Sequence, residues 1–200
     1  MIDIKQLKAD FDRDGFAIVR EFHTQEQTHE LLEHAEQAIA TLQSPRQYNN
    51  VNKGLERLDP YFHKLLHEGK HLPILTQLLG ETPNPSTSSY FTKTHLDEEI
   101  YPHSDGDNGG TVWISLDEST LDNGCLHFLK GSHLQHERLS HLHFSQENDV
   151  GDDPNAVAAI MNPGDTVFFS AKTKHWSGPN RSGKPRRGVN CFYIKWRGHT

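Results

Sequence analysis

The feature that most limits what this chain can become is a change of rhythm at ETPNPS, residues 81–86. Beyond it, short runs rich in β-branched and aromatic residues follow one another: SSYFTKT (88–94), TVWISLD (111–117), CLHFLKG (125–131), DTVFFSA (165–171) and VNCFYIKW (189–196). Turn-forming clusters separate them, namely DGDNGG, DNG, NPGD and NRSGKP. Short apolar runs bounded by Gly, Pro, Asn and Asp read as strands joined by turns. Before the change the rhythm is mainly helical. Ile4, Leu7, Ala9 and Phe11 fall at helical spacing, and GFAIVREF (15–22) then reads as a short strand broken in by Gly15. Thr24 predicts an N-cap with Gln27 as its capping-box partner, opening a helix with Leu31, Leu32, Ala35, Ala38, Ile39 and Leu42 on one stripe. Asp59-Pro60 begins another helix, with Phe62, Leu65 and Leu66 inward, and 73–79 a third. Helices first and many short strands afterwards predict an α+β, mainly β, fold: a sandwich or barrel backed by helices.

At 200 residues the chain suits one domain, with 1–85 as mainly helical support and 86–200 as the β core. A net charge of −7 argues against a nucleic-acid or membrane-surface partner, which would need a basic face. Two cysteines without a CxxC pair argue against a disulfide framework and a cysteine zinc site. No apolar run approaches the length of a membrane span or a signal peptide core, so a reducing cytoplasm is the expected compartment. The polar stretch 133–155 reads as a long loop over one end of the β structure, where active sites are often bordered.

Chemistry enters at YPHSDG (101–106). On a strand, residues i and i+2 share a face, so the His103 imidazole and Asp105 carboxylate would converge. Such a pair is common by chance and needs a partner. His175 is the best candidate, because it follows the apolar run Val167-Phe168-Phe169 and precedes a Ser-Gly-Pro-Asn turn. Most of the fifteen histidines must be solvated. His127 is expected half-buried or solvated, while His133, His136, His141 and His143 are weaker ligand candidates. Two histidines and one carboxylate on one face of a metal leave positions open for a chelating oxo-acid and O2, as in non-haem iron oxygenases. Arg186, eleven residues past His175, could hold a distal carboxylate by a bidentate pair, with Arg187 facing the other way.

At this point the chain resembles the phytanoyl-CoA dioxygenase family of iron(II)/2-oxoglutarate oxygenases. The resemblance rests on FDRDGFAIVREF, on HSD, on VWISLDESTLDNGCLHFLKGSH and on PGDTVFFSAKTKHWSGPNRSGKPRRGVNCFY, in that order along nearly the whole chain. It implies a double-stranded β-helix, or jelly roll, with the N-terminal helices packed on one sheet. It implies Fe(II) on His103, Asp105 and His175, and 2-oxoglutarate gripped by Arg186, with Trp113 lining that pocket and Ser177 adding a hydroxyl. The role of Lys93 is open. The implied reaction takes O2 and 2-oxoglutarate, oxidises a C–H of a small organic substrate and releases succinate and CO2. Because the carboxylate of Asp105 is kept, hydroxylation is favoured over halogenation. Desaturation, epimerisation and ring closure stay open. The rival readings are a non-catalytic or inactive jelly-roll binder of metal or ligand, a zinc hydrolase or isomerase on the same residues, and a purely structural role.

Overall fold

The computed structural model describes residues 2–42, 51–94, 99–135 and 152–195. In chain order the helices are α1 (Ile4–Asp14), α2 (Gln25–Ala40), α3 (Leu55–Leu58), α4 (Pro60–Glu68) and α5 (Leu72–Leu79). The strands are β1 (Phe16–Val19), β2 (Val51–Lys53), β3 (Asn84–Lys93), β4 (Ile100–His103), β5 (Gly110–Ser115), β6 (Leu126–Leu129), β7 (Ala156–Ala159), β8 (Thr166–Ser170), β9 (His175–Ser177) and β10 (Arg186–Ile194). They form two antiparallel sheets, a six-stranded one in the order β1-β8-β5-β10-β3-β2 and a four-stranded one in the order β4-β9-β6-β7.

Local chemistry explains where the elements begin and end. Asp3 caps α1 by accepting from the N–H groups of Lys5 and Gln6, and Gly15 ends it in the left-handed region at φ 86°. Thr24 and Gln27 close the expected capping box on α2. That helix stops at Ala40, so Leu42 lies beyond its stripe, and Ala9 of α1 is exposed. β3 begins at Asn84, inside the stretch where the rhythm changes. Pro85 is accommodated there because the β3–β10 ladder shifts register between Phe192 and Tyr193, opposite it. Gln135 ends a short 3-10 turn begun at Ser132, and 156–159 is strand β7. The loop expected between them falls mostly at 136–151, outside the described residues.

The large sheet is buried on both faces, which is why its central strands read as unbroken apolar runs. Along β5, Val112 and Ile114 turn to the helices, while Trp113 turns to the small sheet. Along β8, Phe168 turns to the helices, while Val167 and Phe169 turn inward. Leu31, Ala35, Leu55 and Phe62 pack over Tyr90, Ile114 and Val189, and Leu7, Phe11, Leu66 and Leu75 pack over Val112, Phe168 and Tyr193. The helices therefore sit on the outer face of one sheet, and the inner faces of the two sheets enclose a third apolar cluster around Phe16, Phe128 and Phe169. No helix among the described residues is long and apolar enough to cross a membrane.

Two histidines in this framework are buried without being near the inter-sheet space. His71 gives Nε2–H to the Tyr193 hydroxyl at 2.7 Å, and that hydroxyl donates to the Leu66 carbonyl at 2.7 Å. His23 lies 3.3 Å from Thr166 Oγ1. Burial, aided by the Lys70 charge, pushes His71 down to about 4 and His23 down to about 3. The unfolded chain takes up these protons near pH 6.5, the folded protein only well below it. Stability from both is therefore complete above about pH 6.5 and is lost as pH falls toward 4. Urea midpoints measured from pH 7.5 to 5 should fall, and His71→Gln should flatten the dependence by about 1.4 kcal/mol per pH unit near pH 5. Parallel curves for the two proteins would refute this account of His71.

Candidate metal and co-substrate site

His103 and His175 face each other in register across the β4–β9 pair. Their ring centroids are 4.3 Å apart. Each ring is steered by its own backbone two residues earlier: His103 Nδ1–H donates to the Tyr101 carbonyl at 2.8 Å, and His175 Nδ1–H to the Thr173 carbonyl at 3.0 Å. A carbonyl only accepts, so the proton belongs on Nδ1 and the Nε2 lone pair is turned inward. Asp105 Oδ1 lies 3.9 Å from His103 Nε2 and 3.7 Å from His175 Nε2. One ligand atom from each residue falls within 4.8 Å of the others, a spacing that could hold a metal ion.

The convergence does not arise as the alternation argument expected. β4 ends at His103, and Asp105 sits in the bend that follows. What aims its carboxylate is Thr111, the second residue of β5, whose hydroxyl donates to Asp105 Oδ2 at 2.7 Å and leaves Oδ1 toward the imidazoles. Thr111 is fully buried, and sequence reasoning missed it. The only signal was a hydroxyl residue at the head of an otherwise apolar run.

A cavity of about 500 Å³ opens from this cluster along the inner face of the large sheet. His103, Asp105, His175, Trp113, Ser177 and Arg186 all line it, so the structure brings together every site residue expected from the sequence. Arg186 is 2% exposed, and its Nε and Nη1 have no hydrogen-bond partner among the described residues. Burial lowers its pKa to about 10, so it remains a cation at neutral pH. Its guanidinium carbon lies 5.3 Å from the Trp113 ring centre. Gly188 makes room for that ring, since a Cβ there would come within 2.2 Å of Trp113 Cζ2. Arg187, on the opposite face, is paired with Asp117 and Glu36 as expected of an outward residue. Lys93 is in register with Arg186, and its ammonium donates to Ser177 Oγ at 2.8 Å and to the Gly178 carbonyl. Ser177 is thus held from behind.

The other histidines are placed elsewhere. His127 is half-buried and stacked on Trp176, with centroids 5.4 Å apart. His133 Nε2 faces the Asp12 carbonyl at 3.1 Å. His136, His141 and His143 lie outside the described residues.

With this geometry established, comparison with known proteins is decisive for kinship. The family model "Phytanoyl-CoA dioxygenase (PhyH)" matches residues 28–188. The chain belongs to the phytanoyl-CoA dioxygenase family. Phytanoyl-CoA dioxygenase of Arabidopsis thaliana is 27% identical over 170 residues, covering 77% of this chain and 60% of that protein. A phytanoyl-CoA dioxygenase domain-containing protein 1 homolog of Caenorhabditis elegans is 30% identical over 102 residues, covering 46% of this chain and 35% of its own length. The chain therefore matches less than two thirds of either relative. Among solved structures, EvdO2 of Micromonospora carbonacea superposes with a TM-score of 0.83 at 21% identity, covering 100% of this chain and 94% of that one. The alpha ketoglutarate dependent carbocyclase SnoK of nogalamycin biosynthesis gives 0.81 at 18% identity, covering 96% and 83%. These likenesses establish the family's double-stranded β-helix for this chain.

Proposed function

We propose that the protein is an iron(II)- and 2-oxoglutarate-dependent dioxygenase that hydroxylates a C–H bond of a small organic substrate. The observation that carries this reading is the pairing, on one cavity, of a two-histidine, one-carboxylate cluster with a buried guanidinium that lacks a partner among the described residues. Two neutral imidazole nitrogens and one carboxylate oxygen are a donor set suited to a divalent iron with open positions. An unpartnered buried cation is costly to keep and is explained if an anion completes it.

His103, Asp105 and His175 would hold the iron. Tyr101 and Thr173, through their carbonyls, and Thr111, through its hydroxyl, keep the three donors aimed before the metal arrives. Arg186 would take the distal carboxylate of 2-oxoglutarate, with Ser177 Oγ, fixed by Lys93, beside it. Trp113 and Phe169 wall the cavity and keep water from the charged centre. Bound iron would supply O2 reduction coupled to decarboxylation of 2-oxoglutarate to succinate and CO2, with oxidation of the substrate. A ligand set suited to zinc alone would leave Arg186 without a purpose.

Anaerobic titration of the apo protein with Fe(II) and 2-oxoglutarate, followed by oxygen, tests the reading. The expected result is formation of a one-to-one complex and oxygen-dependent succinate release, stimulated by some member of a small-molecule library. Absence of any oxygen-dependent succinate from the iron-loaded protein would remove the dioxygenase reading.

A further inference from the structure

We infer that the substrate is a small molecule with an apolar body and an oxyanion, a carboxylate or phosphate group, which Lys53 receives at the mouth of the cavity. The inference rests on the dioxygenase reading above.

The argument is one of charge balance. Among the described residues, and apart from histidines, the charged side chains lining the cavity are Asp105, Arg186 and Lys53. A divalent metal and the Arg186 guanidinium together balance the Asp105 carboxylate and the two carboxylates of 2-oxoglutarate. Those charges then cancel, and Lys53 is the cation of the described cavity wall that they do not use. Lys93 lies outside the lining, turned to Ser177 and the Gly178 carbonyl. Lys53 is exposed at the cavity mouth, and a cleft with one described cation beyond its co-substrate's needs draws a substrate with a negative charge.

Placement supports this. Lys53 stands opposite Ser89, Ser89 opposite Asn190, and Asn190 opposite Trp113, so the four form one row across β2, β3, β10 and β5. Neighbouring strands are about 4.8 Å apart, which puts the Lys53 backbone about 10 Å from that of Asn190, a span its long side chain can partly cross. Lys53 makes no ion pair among the described residues. Glu56, the acid nearest to it in the chain, is bound instead by the Ser88 N–H and hydroxyl and by Arg57. Asn190 Oδ1 is buried and has no partner among the described residues, leaving a second polar group on the row for the substrate. Phe91, Phe192, Ile100 and Val51 supply apolar wall around it.

Trp113 and Trp176 line the cavity, so their fluorescence reports occupancy. The protein is loaded with Mn(II) and saturating 2-oxoglutarate and titrated with phenylacetate, phenyl phosphate and the neutral phenylacetamide. Lys53→Met and Lys53→Arg are treated in the same way. The wild type should bind at least one of the two acids about three-fold more tightly than the amide, as an exposed charge pair warrants. Lys53→Met should lose the preference, Lys53→Arg should keep it, and 2-oxoglutarate affinity should be the same in all three. Preference for phenylacetate over phenyl phosphate, or the reverse, identifies which oxyanion is read. Equal binding of acids and amide, failure of both acids to bind, or a preference that survives in Lys53→Met overturns the inference while leaving the dioxygenase reading standing. Failure of the wild type to take up Mn(II) and 2-oxoglutarate overturns that reading, and this inference with it.

Discussion

Asp105→Ala is expected to strip the protein of metal while leaving its fold intact. Asp105 supplies the only carboxylate of the three-residue cluster, and its side chain is partly exposed, so its removal leaves no void in the core. The loss in affinity for Fe(II), or for Co(II) as a spectroscopic substitute, should exceed the roughly 100-fold that altering a supporting residue costs. Thr111→Val is the milder version. It keeps the buried volume, removes the hydrogen bond to Asp105 Oδ2, and should weaken metal binding by about 10- to 100-fold. Calorimetric titration with Co(II) measures both, and circular dichroism shows that the sheets persist. An Asp105→Ala protein that retains wild-type affinity would exclude this cluster as the metal site.

Arg186→Met should move two quantities in opposite directions. Affinity for 2-oxoglutarate should fall by about 2–5 kcal/mol, as expected when one partner of a buried charge pair is cut away. The ligand-free protein should melt no lower than the wild type, because Nε and Nη1 are buried with no partner among the described residues. Arg186→Lys keeps the charge without the two-pronged geometry, and its affinity should lie between. Co-substrate binding by fluorescence and thermal unfolding by calorimetry give the two numbers. Unchanged affinity for 2-oxoglutarate would dismiss Arg186 as the anchor. A large fall in melting temperature would show that the guanidinium holds the fold together rather than waiting for an anion.

What could be read from the sequence follows from where the physical signal is local. The capping box at Thr24 and Gln27, the left-handed Gly15 and the apolar runs of β5, β8 and β10 are decided within a few residues, and all are where they were expected. β2, β4, β7 and β9 span three or four residues each and, unlike the equally short β1 and β6, carry no run of bulky apolar residues between turn signals. Pairing with neighbours makes them strands, and pairing is a property of the whole fold. The site divides in the same way. His103, Asp105 and His175 could be proposed from residue type and order, and Arg186 from its distance to His175. Thr111, Lys53 and Asn190 could not, because their relation to the cavity depends on register across the large sheet. Even the convergence of His103 and Asp105 had a different cause from the one expected, a bend tied by a hydroxyl instead of a continuing strand.

The packing of every helix against the same sheet has an evolutionary consequence. Cohesion is lodged in the helix-covered layer, whereas two of the three candidate metal ligands project from the thinner layer across from it. Mutations therefore sort by face: those under the helices decide whether the molecule persists, and those on the inner faces of the two sheets, Arg186 and Lys53 included, decide what it handles. A lineage built this way can explore new chemistry on the inward faces without gambling the solidity lodged under the helices.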